Sequence, residues 1–136
     1  MRLKGFPIEE ATKQLRTIQQ IPEESYQTYV EEARTQILSH HLQHNPFYKN
    51  HIGTTNTSHW EAIPILRKRD LQIPLQQRLS DGFTLKKVYK GKTSGSSGTP
   101  LHYAKDHFCH ALTWAGIIDR FGWFGLDFNS SYQARF

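Results

Sequence analysis

Internal disulfide chemistry is closed to this sequence, because Cys109 is the one cysteine among its 136 residues. Long apolar runs are missing as well. No stretch approaches the roughly 18 consecutive apolar residues that a membrane-spanning helix needs. Met1 is followed by Arg2, Leu3, Lys4 and Gly5, without the apolar segment of a secretory signal. These absences lead to the expectation of a cytoplasmic protein with no membrane partner. Acidic residues are in deficit, 12 against 17 lysines and arginines, giving a net charge of +5 with histidine neutral. Such a surface favours nucleotides, nucleic acid or acidic headgroups without choosing among them. Internal repeats are absent.

What is present suffices for a core. A hydrophobic content of 37% and an aromatic content of 12% argue against wholesale disorder, although the mean hydropathy of -0.65 lies on the polar side for a compact fold. At this length about two-thirds of the unfolded surface can be buried, so the chain suits one modest domain or part of a larger one.

The pattern of residues predicts helices first and strands later. Pro7 followed by "IEEATKQLRTIQQ" reads as a short helix with Ile8, Leu15 and Ile18 on one face and Pro22 beyond its end. From Glu24 to His44 the apolar positions Tyr26, Tyr29, Val30, Ala33, Ile37, Leu38 and Leu42 fall three or four apart, and Asn45-Pro46 stops the run. Thr57 or Ser58 is placed to cap a brief turn carrying Trp60, and "RKRDLQ" follows. After the Asp81-Gly82 turn the period becomes two, with Phe83, Leu85, Lys87 and Tyr89 opposite Thr84, Lys86, Val88 and Lys90, which predicts a strand. "LHYAK" at 101–105 is β-compatible. Asp106 then caps a helix carrying Phe108, Leu112, Ala115, Ile118 and Phe121, with Gly122 as its stop and Gly116 marking close packing. The expected architecture is α/β: a helical segment over 1–80, then, over 81–136, the first strands and phosphate-binding loop of a larger, incomplete sheet domain. Exposed sheet edges in such a piece predict a homo-oligomer.

Between the two predicted strands lies "TSGSSGTP". From Thr93 to Thr99, seven positions hold five hydroxyl side chains and two glycines, and Pro100 closes the run. A Gly-rich turn aims successive backbone N–H groups at one point, and hydroxyls add donors, so Thr93, Ser94, Gly95, Ser96, Ser97, Gly98 and Thr99 form a candidate anion site. Hydrogen bonds to a charged acceptor are worth roughly 1.5–3 kcal/mol each, so four or five of them would hold a triphosphate. The bland alternative is a flexible connector. Established phosphate motifs fail: the P-loop pattern ending in Gly91-Lys92-Thr93 would need glycine where Lys86 stands, no GxG occurs, and GxSxG centred on Ser97 would need glycine at Thr99.

This loop resembles the phosphate-binding loop of the adenylate-forming superfamily of acyl- and aryl-CoA ligases. Upstream, "NPFYKNHIG" and "WEAIPILRKRDL" are similar to the N-terminal region of the phenylacetate-CoA ligase group and its capsule-associated members. The resemblance covers residues 25–122. It implies an ATP- and Mg2+-dependent ligase that activates a carboxylic acid as its acyl adenylate, releases pyrophosphate and passes the acyl group to CoA or another thiol. The implied role of Thr93–Thr99 is to grip the β- and γ-phosphates. The resemblance departs at the loop's cation, since Thr99 and Leu101 stand where the group's branches carry lysine; Lys90 and Lys92 are the nearby substitutes. The family's adenine, ribose and C-terminal lysine motifs are not found here. The chain is therefore expected to be the N-terminal part of such an enzyme, with no catalytic residue of its own and no activity alone.

Other candidates carry less. His40, His41 and His44 end a helix, where i, i+4 spacing could hold zinc with two imidazoles but no third ligand is near and a charge effect at the helix C-terminus is favoured; His107, Cys109 and His110 share one turn but point in different directions, so no metal is assigned. The competing function is a noncatalytic basic module in which "LRKRDLQ" and "LKKVYKGK" meet a nucleic-acid backbone and Tyr89 stacks. Such a module has no need of the hydroxyl-rich loop, and no nucleic-acid partner is expected.

Overall fold

The computed structural model describes residues 5–95, 98–128 and 130–132. Among them are four α-helices and one two-stranded antiparallel sheet, a mixed helix-and-strand architecture. The chain divides into two units, Met1–Pro22 with Lys105–Phe136 and Glu23–Ala104. The change of period at residue 81 lies inside the second unit.

In the first unit, helix α1 (Ile8–Gln19) packs against helix α4 (His107–Trp123). Glu9 and Glu10 complement the positive end of α1, and Asp106 accepts from the Cys109 N–H at 2.7 Å to cap α4. The contact is built on alanine. Ala11, Ala111 and Ala115 are buried where the helices meet, and Phe6, Ile8, Leu15, Phe108 and Leu112 close around them. Small side chains let the backbones approach, while the larger ones at the margin supply most of the apolar area.

Two expectations for α4 need correction. The helix runs past Gly122 to Trp123, and the left-handed residue beyond its end is Gly125, at φ +67°. Gly116 marks no close approach, because a Cβ there would meet nothing within 4 Å. Gly116→Ala should therefore remove backbone entropy from the unfolded chain without a clash. The expected gain is about 0.5–1 kcal/mol, read as a higher urea midpoint.

His110 is buried on α4, and its Nε2 accepts from the Trp114 Nε1–H at 3.1 Å. That bond requires a neutral ring with its proton on Nδ1. Burial, then the positive charges of Lys105 and His107, hold its pKa below the ordinary 6.5. His41 is lowered from 6.5 too, by burial and then by His40. In the unfolded chain both imidazoles take up protons near their ordinary value, before the folded ones do. Stability is thus full above pH 6.5 and declines as the pH falls below it. The urea midpoint should be lower at about pH 5.5 than at about pH 7.5, on either side of the ordinary imidazole range. His110→Gln should shrink the difference; an unchanged slope would exclude His110 as its source.

In the second unit, helix α2 (Glu23–His44) buries none of its residues, and Tyr26 and Ile37 on its apolar positions remain half exposed. Asn45-Pro46 ends this helix as expected, but the same pair begins another. Asn45 caps helix α3 (Pro46–Ile52) by accepting from the Tyr48 N–H at 2.9 Å, with Pro46 in the first turn, where its missing N–H costs nothing. Short 3-10 turns follow at Trp60–Ala62, Lys68–Leu71 and Leu75–Arg78. The Trp60 turn has no side-chain cap from Thr57 or Ser58; it is preceded by His59 in extended conformation. The Arg34 guanidinium lies 5.3 Å from the Trp60 ring centroid.

The strand predicted over 83–90 is shorter and later. Lys87 N–H donates to Thr84 O at 2.9 Å, so residues 84–87 form a turn, and β1 occupies Tyr89–Lys92. Its partner β2 is His102–Lys105. Alternation across 83–88 relied on lysines, which sit comfortably on any solvated backbone, so it carried little strand information.

Candidate functional site

The hydroxyl-rich segment is the connection of the β1–β2 hairpin. Its base is closed by two bonds on one residue: Thr93 N–H donates to Leu101 O at 3.0 Å, and Thr93 Oγ1 accepts from Leu101 N–H at 3.0 Å. Further in, Gly98 N–H donates to Gly95 O at 2.8 Å. Gly95 at φ +74° and Gly98 at φ +110° hold backbone conformations that side chains resist. Gly95 has a second reason to be glycine. A Cβ there would lie 2.8 Å from Gly98 O and 2.8 Å from Pro100 Cγ.

These bonds divide the predicted donors. The amides of Thr93 and Gly98 are used in closing the loop, so they are not turned to a ligand. Ser94 and Gly95 are among the residues that line the adjoining cavity. The Thr93 hydroxyl, which accepts from Leu101, keeps its own proton to donate. Gly98 and Thr99 are exposed. Ser96 and Ser97, the remaining members of the predicted set, lie outside the described residues.

The cavity measures about 440 Å³ and is lined on one side by Thr93, Ser94, Gly95 and Leu101. Leu66, Lys68 and Leu71 form its other wall. That wall is set by local chemistry: Asp70 Oδ2 accepts from the Arg67 N–H at 2.8 Å, and Arg67 O accepts from the Asp70 N–H at 2.9 Å. The reciprocal pair fixes the first turn, which starts at Lys68. Lys90 and Lys92, expected as substitute cations, lie on β1 and are not among the residues lining this cavity. Sequence spacing gave no sign that Lys68 would do so, because 25 residues separate it from Thr93.

The hairpin itself is held from two directions. The Tyr103 ring lies over Gly91, where a Cβ would come within 2.3 Å of the ring's Cζ. Arg78 donates to His102 O on β2 at 2.7 Å and, through Nε, to Ile73 O at 3.3 Å. Burial lowers the Arg78 pKa below the ordinary guanidinium value, and these two carbonyls receive the protons of a group that stays charged.

The three histidines at the end of α2 make edge-on and tilted ring contacts. His40 lies 5.4 Å from His41 and 5.1 Å from His44 between ring centroids, and His41 lies 5.3 Å from Tyr48. Among the described residues no group of three or more His, Cys, Asp or Glu is placed to hold a metal ion. Cys109 is exposed. Among the same residues no helix is long and apolar enough to cross a membrane. No protein-family model matches the sequence, and no curated protein or solved structure is significantly similar to it.

Proposed function

We propose that this chain supplies the phosphate-binding part of an ATP-dependent adenylate-forming ligase, one that activates a carboxylic acid as acyl-AMP for transfer to CoA or another thiol. The observation that carries the reading is the placement of the Thr93–Pro100 segment: a hairpin connection closed at its base by Thr93 and Leu101, with Ser94 and Gly95 facing a cavity. A connector has no reason to be tied at both ends or to place glycine where a Cβ collides with backbone. Amide and hydroxyl donors of Thr93, Ser94 and Gly95 beside one cavity would suit phosphate oxygens, and donors fixed by the loop would need little reorganisation when charge grows on a leaving pyrophosphate.

On this reading β1 and β2 are the first strands of a larger sheet. The Mg2+ would be carried by the nucleotide's own phosphates, since no carboxylate is among the described residues lining the cavity. The acid substrate and the thiol acceptor bind elsewhere in the parent enzyme. No catalytic residue is assigned here, and the 136-residue chain is proposed to be inactive alone.

Titration with MgATP and with pyrophosphate, followed by amide NMR, tests the reading. The expected result is saturable binding of both, with the largest shifts at Ser94 and Gly95. Absence of shifts in the loop at millimolar ligand, the weak end of specific binding, would remove it. Shifts confined to Arg67, Lys86, Lys87 and Tyr89 on addition of single-stranded nucleic acid would favour the basic-module reading instead.

A further inference from the structure

The loop brings no cation to its own cavity; the opposite wall does. Among the described residues lining the cavity Lys68 carries the charged side chain, and Leu66, Leu71 and Leu101 are its apolar members. We infer that Lys68 is the anion-binding cation of this site, reaching from the Lys68–Leu71 turn to the phosphate held by Ser94 and Gly95. The inference rests on the phosphate reading of the loop and adds to it the charge that the loop lacks.

Three features support the assignment. Lys68 is the first residue of a turn whose geometry is fixed by the Asp70–Arg67 pair, so its backbone origin is set before any ligand arrives. The acidic member of that turn is occupied: Asp70 Oδ2 accepts from the Arg67 N–H, and Oδ1 lies 3.6 Å from Arg69 Nε. Its negative charge is therefore drawn towards the flanking arginines. The three leucines, finally, thin the water around a bound phosphate, which strengthens a charge-assisted bond relative to one in open solvent. A lysine serves here as a movable point charge, matched to a phosphate chain whose oxygens offer several equivalent acceptors.

The test compares tripolyphosphate binding by calorimetry at low salt for the wild-type chain, Lys68→Met, Lys68→Arg and Lys90→Met. Lys90→Met removes the same charge from a β1 residue that does not line the cavity, so it measures the general effect of net charge. Lys68→Met should weaken binding roughly 10- to 100-fold, the range of one charge-assisted hydrogen bond. Lys68→Arg should restore most of it, and Lys90→Met, which removes a charge that does not line the cavity, should lose about twofold or less. Because Lys68 is exposed, all variants should melt together with wild type. Equal affinities for Lys68→Met and Lys90→Met, with wild-type binding intact, would overturn the role of Lys68 and leave the phosphate site standing. Failure of the wild-type chain to bind tripolyphosphate would overturn both.

Discussion

Asn45→Ala should destabilise the second unit by about 2–4 kcal/mol, the sum of a lost helix cap and buried acceptors left without donors. The Asn45 side chain is 7% exposed and makes three hydrogen bonds. Its Oδ1 accepts from the Tyr48 N–H to begin α3, while Nδ2 donates to Arg78 O at 3.0 Å and to Ser80 Oγ at 3.1 Å. The main chain reinforces the junction, with Asp81 N–H donating to His44 O at 2.7 Å. One amide thus joins the end of α2, the start of α3 and the segment leading to the hairpin. Asn45→Asp separates the contributions, because a carboxylate keeps the cap acceptor but turns negative charge on the Arg78 carbonyl. The aspartate variant should recover roughly 1 kcal/mol of the alanine loss, the usual worth of a cap. Urea unfolding at pH 7.5 measures both. If Asn45→Ala unfolds within about 0.5 kcal/mol of wild type, the scatter of an ordinary surface change, Asn45 does not join these segments as described.

The same residue shows how far a sequence can be read. Asn45-Pro46 ends α2 for the reason expected, since proline disfavours helical geometry in the residue before it. That proline is also pre-shaped for a first helical turn and asparagine for a cap, so the pair opens α3 with equal right. A terminator and an initiator have one spelling here, and only the partners of the side chain tell them apart. Asp106 posed no such ambiguity, because nothing helical precedes it and the apolar positions that follow are periodic. Of the candidate site, Thr93, Ser94 and Gly95 were legible as chemistry: hydroxyls and glycine before proline between two β-compatible runs. What spacing could not give was the accounting of their donors. Whether an amide faces a ligand or its own hairpin depends on strand register, and here register assigns the Thr93 and Gly98 amides to the hairpin. Lys68 was hidden for a different reason. It approaches the loop through tertiary folding, and a basic residue in "LRKRDLQ" is indistinguishable by sequence from one on a solvated face.

Gly95→Ala should reduce pyrophosphate affinity by about tenfold or more, because the substitution attacks the loop's shape while leaving every donor in place. Two costs combine. At φ +74° a side chain carries roughly 1–2 kcal/mol of left-handed strain. The new methyl would also sit 2.8 Å from the Gly98 carbonyl oxygen and 2.8 Å from Pro100 Cγ, contacts that the loop can relieve only by moving. Gly98 O belongs to the backbone and Pro100 to a rigid ring, so neither yields as the tip of a flexible chain would. If the loop holds the anion as proposed, breaking the Gly98 N–H to Gly95 O bond would displace Ser94 and Gly95 from a common acceptor, and convergent donors lose most when convergence is lost. Gly82→Ala is the matched control: its φ is +80° and a Cβ there meets nothing within 4 Å, so it carries the strain without the collision. Gly82→Ala should lose about 1–2 kcal/mol of stability in urea and Gly95→Ala more than that, but only Gly95→Ala should lose pyrophosphate. Equal binding by the two variants would mean that the geometry between Thr93 and Pro100 does not hold the anion.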